Sequence, residues 1–314
     1  MSDETGRAND ADEVVTPGGP RPSGQVHAVG AGEAVYGRGG DAAEAADAQV
    51  KVLTPGGFRA RSLVHRVDEG QTLVADDGRR MLMLDRSGNA MAAVEAPAVD
   101  PLEVPALGSG WIAYTYWNNG TGQPLTSFRT TWEVPPAPSV ASGQTIFLFN
   151  GIQNYGANYG ILQPVLQWGP SGAGGGPYWS VASWYVTSGG QAFHTNLVRV
   201  NPGDTLVGVM TLTAQQGRAF SYVSLFEGIA GTTLPVANIA ELLWCNETLE
   251  AYSISNCANY PNTASTALRR IELRTSGGTP PLLWTPVNAV TDCGQHAVVV
   301  SNSPSGGEVD LFYR

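Results

Sequence analysis

The chain has 314 residues, 42% of them aliphatic or aromatic, enough for one large domain or a core domain with an appendage. Only 14% are charged and the net charge is -10, so no basic stripe exists to neutralise a phosphate backbone, and a nucleic-acid partner is excluded. No apolar run of about eighteen residues occurs, so no membrane helix is expected.

Low charge, 39 glycines and 21 prolines suit many short strands joined by turns better than helices. The start, Met1 to Val15, is polar and acidic. It lacks the basic and apolar regions of a signal peptide, and read literally it would leave the chain in the cytoplasm. Residues 1–50, rich in Gly, Ala, Asp and Glu and without Trp, are expected to be disordered.

Residues 51–95 carry two or three short strands, punctuated by Pro55-Gly56-Gly57, Asp77-Gly78 and Ser87-Gly88-Asn89. Arg59, Arg61, Arg66, Arg79, Arg80 and Arg86 cluster here. One reading is a pro-segment or lid whose cations face an acidic surface. The favoured reading is an extra β-hairpin layer with a solvated charged face. Residues 96–108, with Pro97, Pro101 and Pro105, read as a linker.

All eight tryptophans lie from Trp111 onward, where strand signals become regular. Strands are predicted over Trp111–Trp117, Ser127–Val134, Gln144–Gly151, Ile161–Trp168, Tyr178–Val186, Ala192–Val200, Thr205–Ala214 and Ala219–Glu227. Leu243–Glu250, Ala267–Arg274, Ala297–Ser301 and Glu308–Tyr313 follow. Ala237–Leu249 could be a helix by periodicity, but its Trp244, Glu247 and Leu249 fit period two as well, and the context favours a strand. Cys245, Cys257 and Cys293 leave one thiol over; Cys257 could pair with either of the others. No C-x-x-C spacing occurs and no metal or other cofactor is expected.

The order of several segments is informative: Trp117-Asn118-Asn119; Phe128-Arg129-Thr130-Thr131-Trp132-Glu133-Val134-Pro135; Phe147-Leu148-Phe149-Asn150-Gly151-Ile152; Ile161-Leu162-Gln163; Val181-Ala182-Ser183-Trp184-Tyr185; and Val200-Asn201-Pro202-Gly203-Asp204. With Trp244, Glu247 and the closing Val309–Tyr313, this series resembles the eqolisin (glutamic peptidase) family over residues 111–314. The resemblance implies an antiparallel, concanavalin A-like β-sandwich at residues 109–314. It also implies an extracellular setting and a Gln/Glu pair on a concave sheet: the carboxylate activates water, and the amide steadies the developing oxyanion.

Carried over by position, Gln163 matches the glutamine. Ser183, before Trp184-Tyr185, falls where the resemblance places the glutamate, and no Asp or Glu occurs from Asn150 to Gly203. Serine is too weak a base for that role. The expected function is therefore a monomeric, eqolisin-like sandwich that binds peptide or polysaccharide without glutamic endopeptidase activity. The groove would be lined by Gln163, Ser183, Gln167, Trp168, Trp179, Tyr185 and His194. Period two sets Gln163 with Ile161, Val165 and Gln167, and Ser183 with Trp179, Val181 and Tyr185.

Two alternatives stand beside it. One is an active acid endopeptidase or glycoside hydrolase using another carboxylate, such as Glu133 with Glu247. The other is a lectin-like carbohydrate-binding module. A Ser183–His194 hydrolytic pair is disfavoured because Ser183 lies within a strand rather than on a sharp turn. Glu247 and Glu250 could instead pair with Arg269 or Arg270. His296 with Cys293 or His194 is too sparse for a metal site. The Asn119 and Asn246 glycosylation sequons read as chance, and the glycine run Gly169–Pro177 as a mobile loop.

Overall fold

A computed structural model describes residues 50–76, 80–96, 110–155 and 159–314, together with the backbone of two short strands nearer the N-terminus. Those two, β1 (Glu13–Thr16) and β2 (Gly19–Pro22), pair antiparallel and belong to a separate compact unit. Apart from this ladder, the expected disorder of residues 1–50 falls outside the described residues, as does most of the expected linker at 96–108.

The main unit begins with six strands in the segment for which two or three were expected. They are β3 (Lys51–Thr54), β4 (Gly57–Ala60), β5 (Val64–Arg66), β6 (Thr72–Ala75), β7 (Arg80–Leu84) and β8 (Ala90–Glu95). Next come β9 (Trp111–Asn118), β10 (Leu125–Glu133), β11 (Thr145–Gln153), β12 (Gly160–Ser171), β13 (Gly174–Thr187), β14 (Ala192–His194) and β15 (Val198–Arg199). The chain continues through β16 (Thr205–Gln216), β17 (Ala219–Phe226), β18 (Leu234–Ile239), β19 (Trp244–Tyr252) and β20 (Ser265–Thr275). It closes with β21 (Thr285–Asn288), β22 (His296–Ser301) and β23 (Ser305–Phe312).

Two large sheets form a sandwich. One has ten strands in the order β22-β23-β20-β10-β16-β17-β18-β6-β7-β8. The other runs β21-β9-β19-β11-β12-β13-β14-β5, with β15 also paired to β13. The all-β, two-sheet architecture matches the expectation. Two pairings are parallel rather than antiparallel: β5 on β14 and β6 on β18. Residues 51–95 are thus not a layer laid outside a finished domain; β5 extends one sheet and β6 to β8 extend the other. The cations behave mostly as the favoured reading supposes, with Arg66 meeting Asp68 at 2.9 Å in an exposed pair. Arg59 is the exception: it is half-buried, close to Glu250, Tyr159 and Tyr252.

Burial patterns separate the two sheets. In β17, buried and half-buried residues alternate, the mark of a strand with one face toward the core. In β11 every residue is buried, and in β12 the first ten are. The longer-stranded middle of the second sheet is therefore covered on both sides. Its inner face carries Leu148, Leu162, Leu166 and Val181 against Phe128, Trp132, Met210 and Phe226 of the other sheet. Its outer face carries a second apolar cluster that includes Trp111, Phe147, Phe149, Val165 and Trp184, and Leu53 of β3 belongs to that cluster.

Several local readings are revised. The glycine run is not a loop: β12 and β13 continue through it to a two-residue turn at Gly172-Ala173. Gly169 sits at φ +89, and a Cβ there would lie 2.0 Å from the Gln144 carbonyl oxygen, so only glycine fits the crossing. The predicted Ala192–Val200 strand breaks into β14 and β15, and β18 and β21 were not anticipated. Cys257 bonds to Cys293, one of the two pairings left open, and Cys245 is a buried free thiol.

Candidate functional site

The cross-strand registers place specific side chains in rows on the outer face of the second sheet. Tyr116 pairs with Asn246, Asn246 with Gly151, and Gln163 with Trp184, which pairs in turn with His194. The β11–β12 ladder runs from Phe149↔Val165 to Ile152↔Leu162, which brings Gly151 opposite Gln163. One continuous row results: Tyr116, Asn246, Gly151, Gln163, Trp184, His194. Residues directly opposite one another in adjacent strands share a face.

Gly151 is the empty position of that row. A Cβ there would lie 3.0 Å from both side-chain polar atoms of Asn246 and 3.3 Å from Ile161 Cδ1. The missing side chain leaves the space over β11 to Asn246, which projects toward Gln163. Asn246 Oδ1 accepts a hydrogen bond from Thr248 Oγ1 at 2.9 Å, and this leaves its Nδ2 as a donor. Gln163 Oε1, Asn246 Nδ2 and Trp184 Nε1 are buried and have no hydrogen-bond partner among the described residues. A carbonyl acceptor and an amide donor, flanked by an indole N–H, thus meet at the centre of the face. That pairing matches the hydrogen-bonding needs of a peptide group. Buried polar atoms left without partners are costly, and a bound molecule would relieve that cost.

The structure does not bring Ser183 to this site. Ser183 faces the space between the sheets, where Ser224 Oγ donates to its Oγ at 3.0 Å. The β12–β13 register pairs Pro164 with Ser183 and Gln163 with Trp184, so Gln163 and Ser183 point to opposite sides of the sheet. Tyr185, Trp168 and Trp179 likewise belong to the inter-sheet core; the two tryptophans form an edge-to-face pair 5.4 Å apart. None of them lines an outer groove. Gln167 does lie on the outer face, but its amide is committed: Nε2 donates to the Gly169 and Gly174 carbonyls at 2.8 and 3.0 Å, and Oε1 accepts from Ser171.

His194 is the other predicted residue that joins Gln163. Its ring lies 4.8 Å from that of Trp184, and Nδ1 is 2.8 Å from the Thr195 carbonyl oxygen. Burial pushes its pKa down to about 4, with the nearby Arg66 and His65 adding to the shift, so it is neutral at ordinary pH. With Ser183 on the far side of the sheet, the Ser183–His194 pair does not form. Cys293 is bound in the disulfide and unavailable to His296.

Glu247 is fully buried between the sheets and accepts from Thr130 Oγ1 at 2.5 Å. Burial holds its pKa well above the usual carboxylate range. Glu133 is exposed and lies three residues beyond Thr130 on β10, hence on that sheet's opposite face. Glu133 and Glu247 are therefore no glycosidase pair. Arg269 pairs with Glu308 at 3.0 Å, not with Glu247 or Glu250.

Glu250 is the outer-face carboxyl. It lies four residues along β19 from Asn246, about 13 Å away. Its Oε1 accepts from the Gly56 N–H at 2.8 Å and from Tyr252 Oη at 2.5 Å. Burial raises its pKa to about 7, against the opposing pull of those hydrogen bonds and of Arg59. Sequence reasoning missed both Asn246 and this Glu250–Gly56 contact. The only signal for Asn246 was its place beside Trp244 and Glu247. Its sequon is sealed in the fold, since the side chain is fully buried. Asn119 is nearly so, with Nδ2 donating to the Gln123 carbonyl at 2.7 Å.

No family model matches the chain, and no curated protein matches it in sequence. Among solved structures, it is similar to scytalido-glutamic peptidase bound to a peptide-based transition-state analogue. The identity is 15%, with 66% of this chain and 99% of that one covered, at a TM-score of 0.43. It is similar also to SCP-B, described as an eqolisin-family peptidase in complex with the tripeptide Ala-Ile-His, at 13% identity over the same shares and a TM-score of 0.35. An alginate lyase bound to an alginate trisaccharide follows at 11% identity, 62% and 75% coverage and a TM-score of 0.23.

Proposed function

We propose that this protein is an eqolisin-like β-sandwich that holds a peptide or polysaccharide segment on the outer face of its second sheet without cleaving it as a glutamic peptidase. The observation that carries this reading is the central row itself. It offers an unpartnered acceptor on Gln163 and an unpartnered donor on Asn246, beside the unpartnered indole N–H of Trp184, and it contains no carboxylate. A hydrolytic water needs a base within about 3 Å. Glu250 is too far along β19 and already engaged, and Glu247 points to the other side of the sheet.

The test is casein hydrolysis by the purified protein between pH 2 and 5, alongside binding of peptide and glycan arrays. Binding without turnover, weakened at least tenfold by Gln163→Ala, is expected. Acid proteolysis that disappears with Gln163→Ala would overturn the non-hydrolytic reading.

A further inference from the structure

The β3–β4 hairpin differs from the rest of the N-terminal segment. Its strands pair only with each other, while β5 to β8 are built into the two large sheets. A hairpin of two four-residue strands is marginal by itself, so its order depends on what it lies against. It lies on the outer face of the second sheet. Leu53, Thr54 and Pro55 are buried, and Leu53 packs into the aromatic cluster that contains Trp184 and Trp244, the neighbours of Gln163 and Asn246. The Leu53 carbonyl accepts from the Gly172 N–H at 2.6 Å, and Gly56 N–H donates to Glu250. Phe58 meets the edge of the Tyr252 ring while remaining 58% exposed.

These contacts have the form of a bound peptide: an aliphatic side chain in an aromatic well, with backbone groups held at both ends. They are incomplete in one respect. The polar atoms of Gln163, Asn246 and Trp184 stay unpartnered beneath the covered face.

We infer that the β3–β4 hairpin is a tethered stopper occupying the site of an external polypeptide ligand, with Glu250 as its latch, and that the latch loosens as the pH rises from the acid side to neutrality. This deepens the binding function proposed above and rests on it for the ligand.

The direction follows from the groups around Glu250. Arg59 of β4, Tyr159 ahead of β12 and Tyr252 of β19 face it, with Trp111 of β9 beside it. Burial raises both tyrosines, so they stay neutral, and Arg59 stays charged on either side of neutrality despite its own lowering. The carboxyl is therefore the group that changes. Under the hairpin it holds its proton to about pH 7; with water admitted it returns toward its ordinary 4.5. Opening releases a proton, so raising the pH favours opening.

Hydrogen exchange of the Gly56 and Gly172 amides in the full chain reads the latch directly. After correction for intrinsic rates, their opening should increase on the order of 100-fold from pH 5 to pH 9, while β11 and β12 amides show no such change. Glu250→Gln keeps an acceptor for Gly56 and should abolish that pH dependence. A flat wild-type profile, or an unchanged slope in Glu250→Gln, would overturn the latch. A synthetic peptide of residues 51–60 should bind the Leu53→Asp full chain at least tenfold tighter than wild type at pH 5. It should also bind wild type better as the pH rises. A latch that opens while the peptide binds neither protein would overturn the polypeptide assignment. Casein turnover, by contrast, bears on the non-hydrolytic reading alone.

Discussion

Glu247 places an entire carboxyl side chain between two sheets, with one oxygen on Thr130 and the other unpartnered. Its folded pKa lies well above its ordinary 4.5, so its favourable contribution is fully present below pH 4.5 and is lost as pH rises through the folded value. His194 has the opposite sign. Its folded value near 4 lies below its ordinary 6.5, so its contribution is present above 6.5 and lost as pH falls toward 4. Urea midpoints measured from pH 4 to 9 should show Glu247→Gln gaining on wild type steadily toward high pH, by about 1–3 kcal/mol at the alkaline end. A constant difference between the two proteins would refute the titration of Glu247. Such facings were half visible in the sequence. Period two sorts Gln163 from Ser183 into different sets, but only the pairing of Gln163 with Trp184 shows that the sets point to opposite sides. Asn246 was readable only as a sequon, because its place in the row is set by its pairing with Gly151, 95 positions earlier in the chain (246 − 151).

The paired strands β12 and β13 depend on one side chain at their far end. Gln167 ties the Gly169 and Gly174 carbonyls together where the ladder shifts register between Trp168 and Gly169. Gln167→Ala should cost about 1–3 kcal/mol in urea unfolding, because the buried Gly169 carbonyl and the more exposed Gly174 carbonyl lose a shared donor. It should also free the Gly172 amide, which the tip presents to Leu53. In β11, Gly151→Ala would press its methyl on Asn246 and Ile161, and ligand affinity should fall more than stability does. Titration calorimetry with a bound peptide, set beside urea midpoints, separates the two effects. Sequence reading found the strands with clear apolar alternation, such as β10 and β17. It failed where composition hides the pattern. Leu234-Pro235-Val236-Ala237-Asn238-Ile239 and Thr285-Pro286-Val287-Asn288 carry prolines that argue against a strand, yet β21 is an edge strand and β18 pairs through a register shift. The glycines of the β12–β13 tip read as loop for the same reason.

Residues 51–95 supply Leu53 to the outer cluster and Val67, Leu73, Met81, Met83 and Val94 to the core. Deleting residues 1–95 would uncover those neighbours and leave β14 and β18 as open edges. The truncated chain should melt roughly 10 °C lower and bind a hydrophobic dye that the full chain ignores. An unchanged melting temperature would show that the segment is dispensable to the fold. The sandwich class was visible because strands and turns recur regularly after Trp111, whereas the role of the earlier segment depends on pairings no local pattern contains. Those two parallel pairings also set a timetable for synthesis. Leu73 pairs with Val236, so β6 leaves the ribosome 163 residues before its partner (236 − 73). At about 5–20 residues per second, its apolar edge waits roughly 10–30 s for β18. The most exposed interval in this protein's life is therefore its own translation, when β6, already paired with β7 on one side, keeps its other edge open until β18 is made.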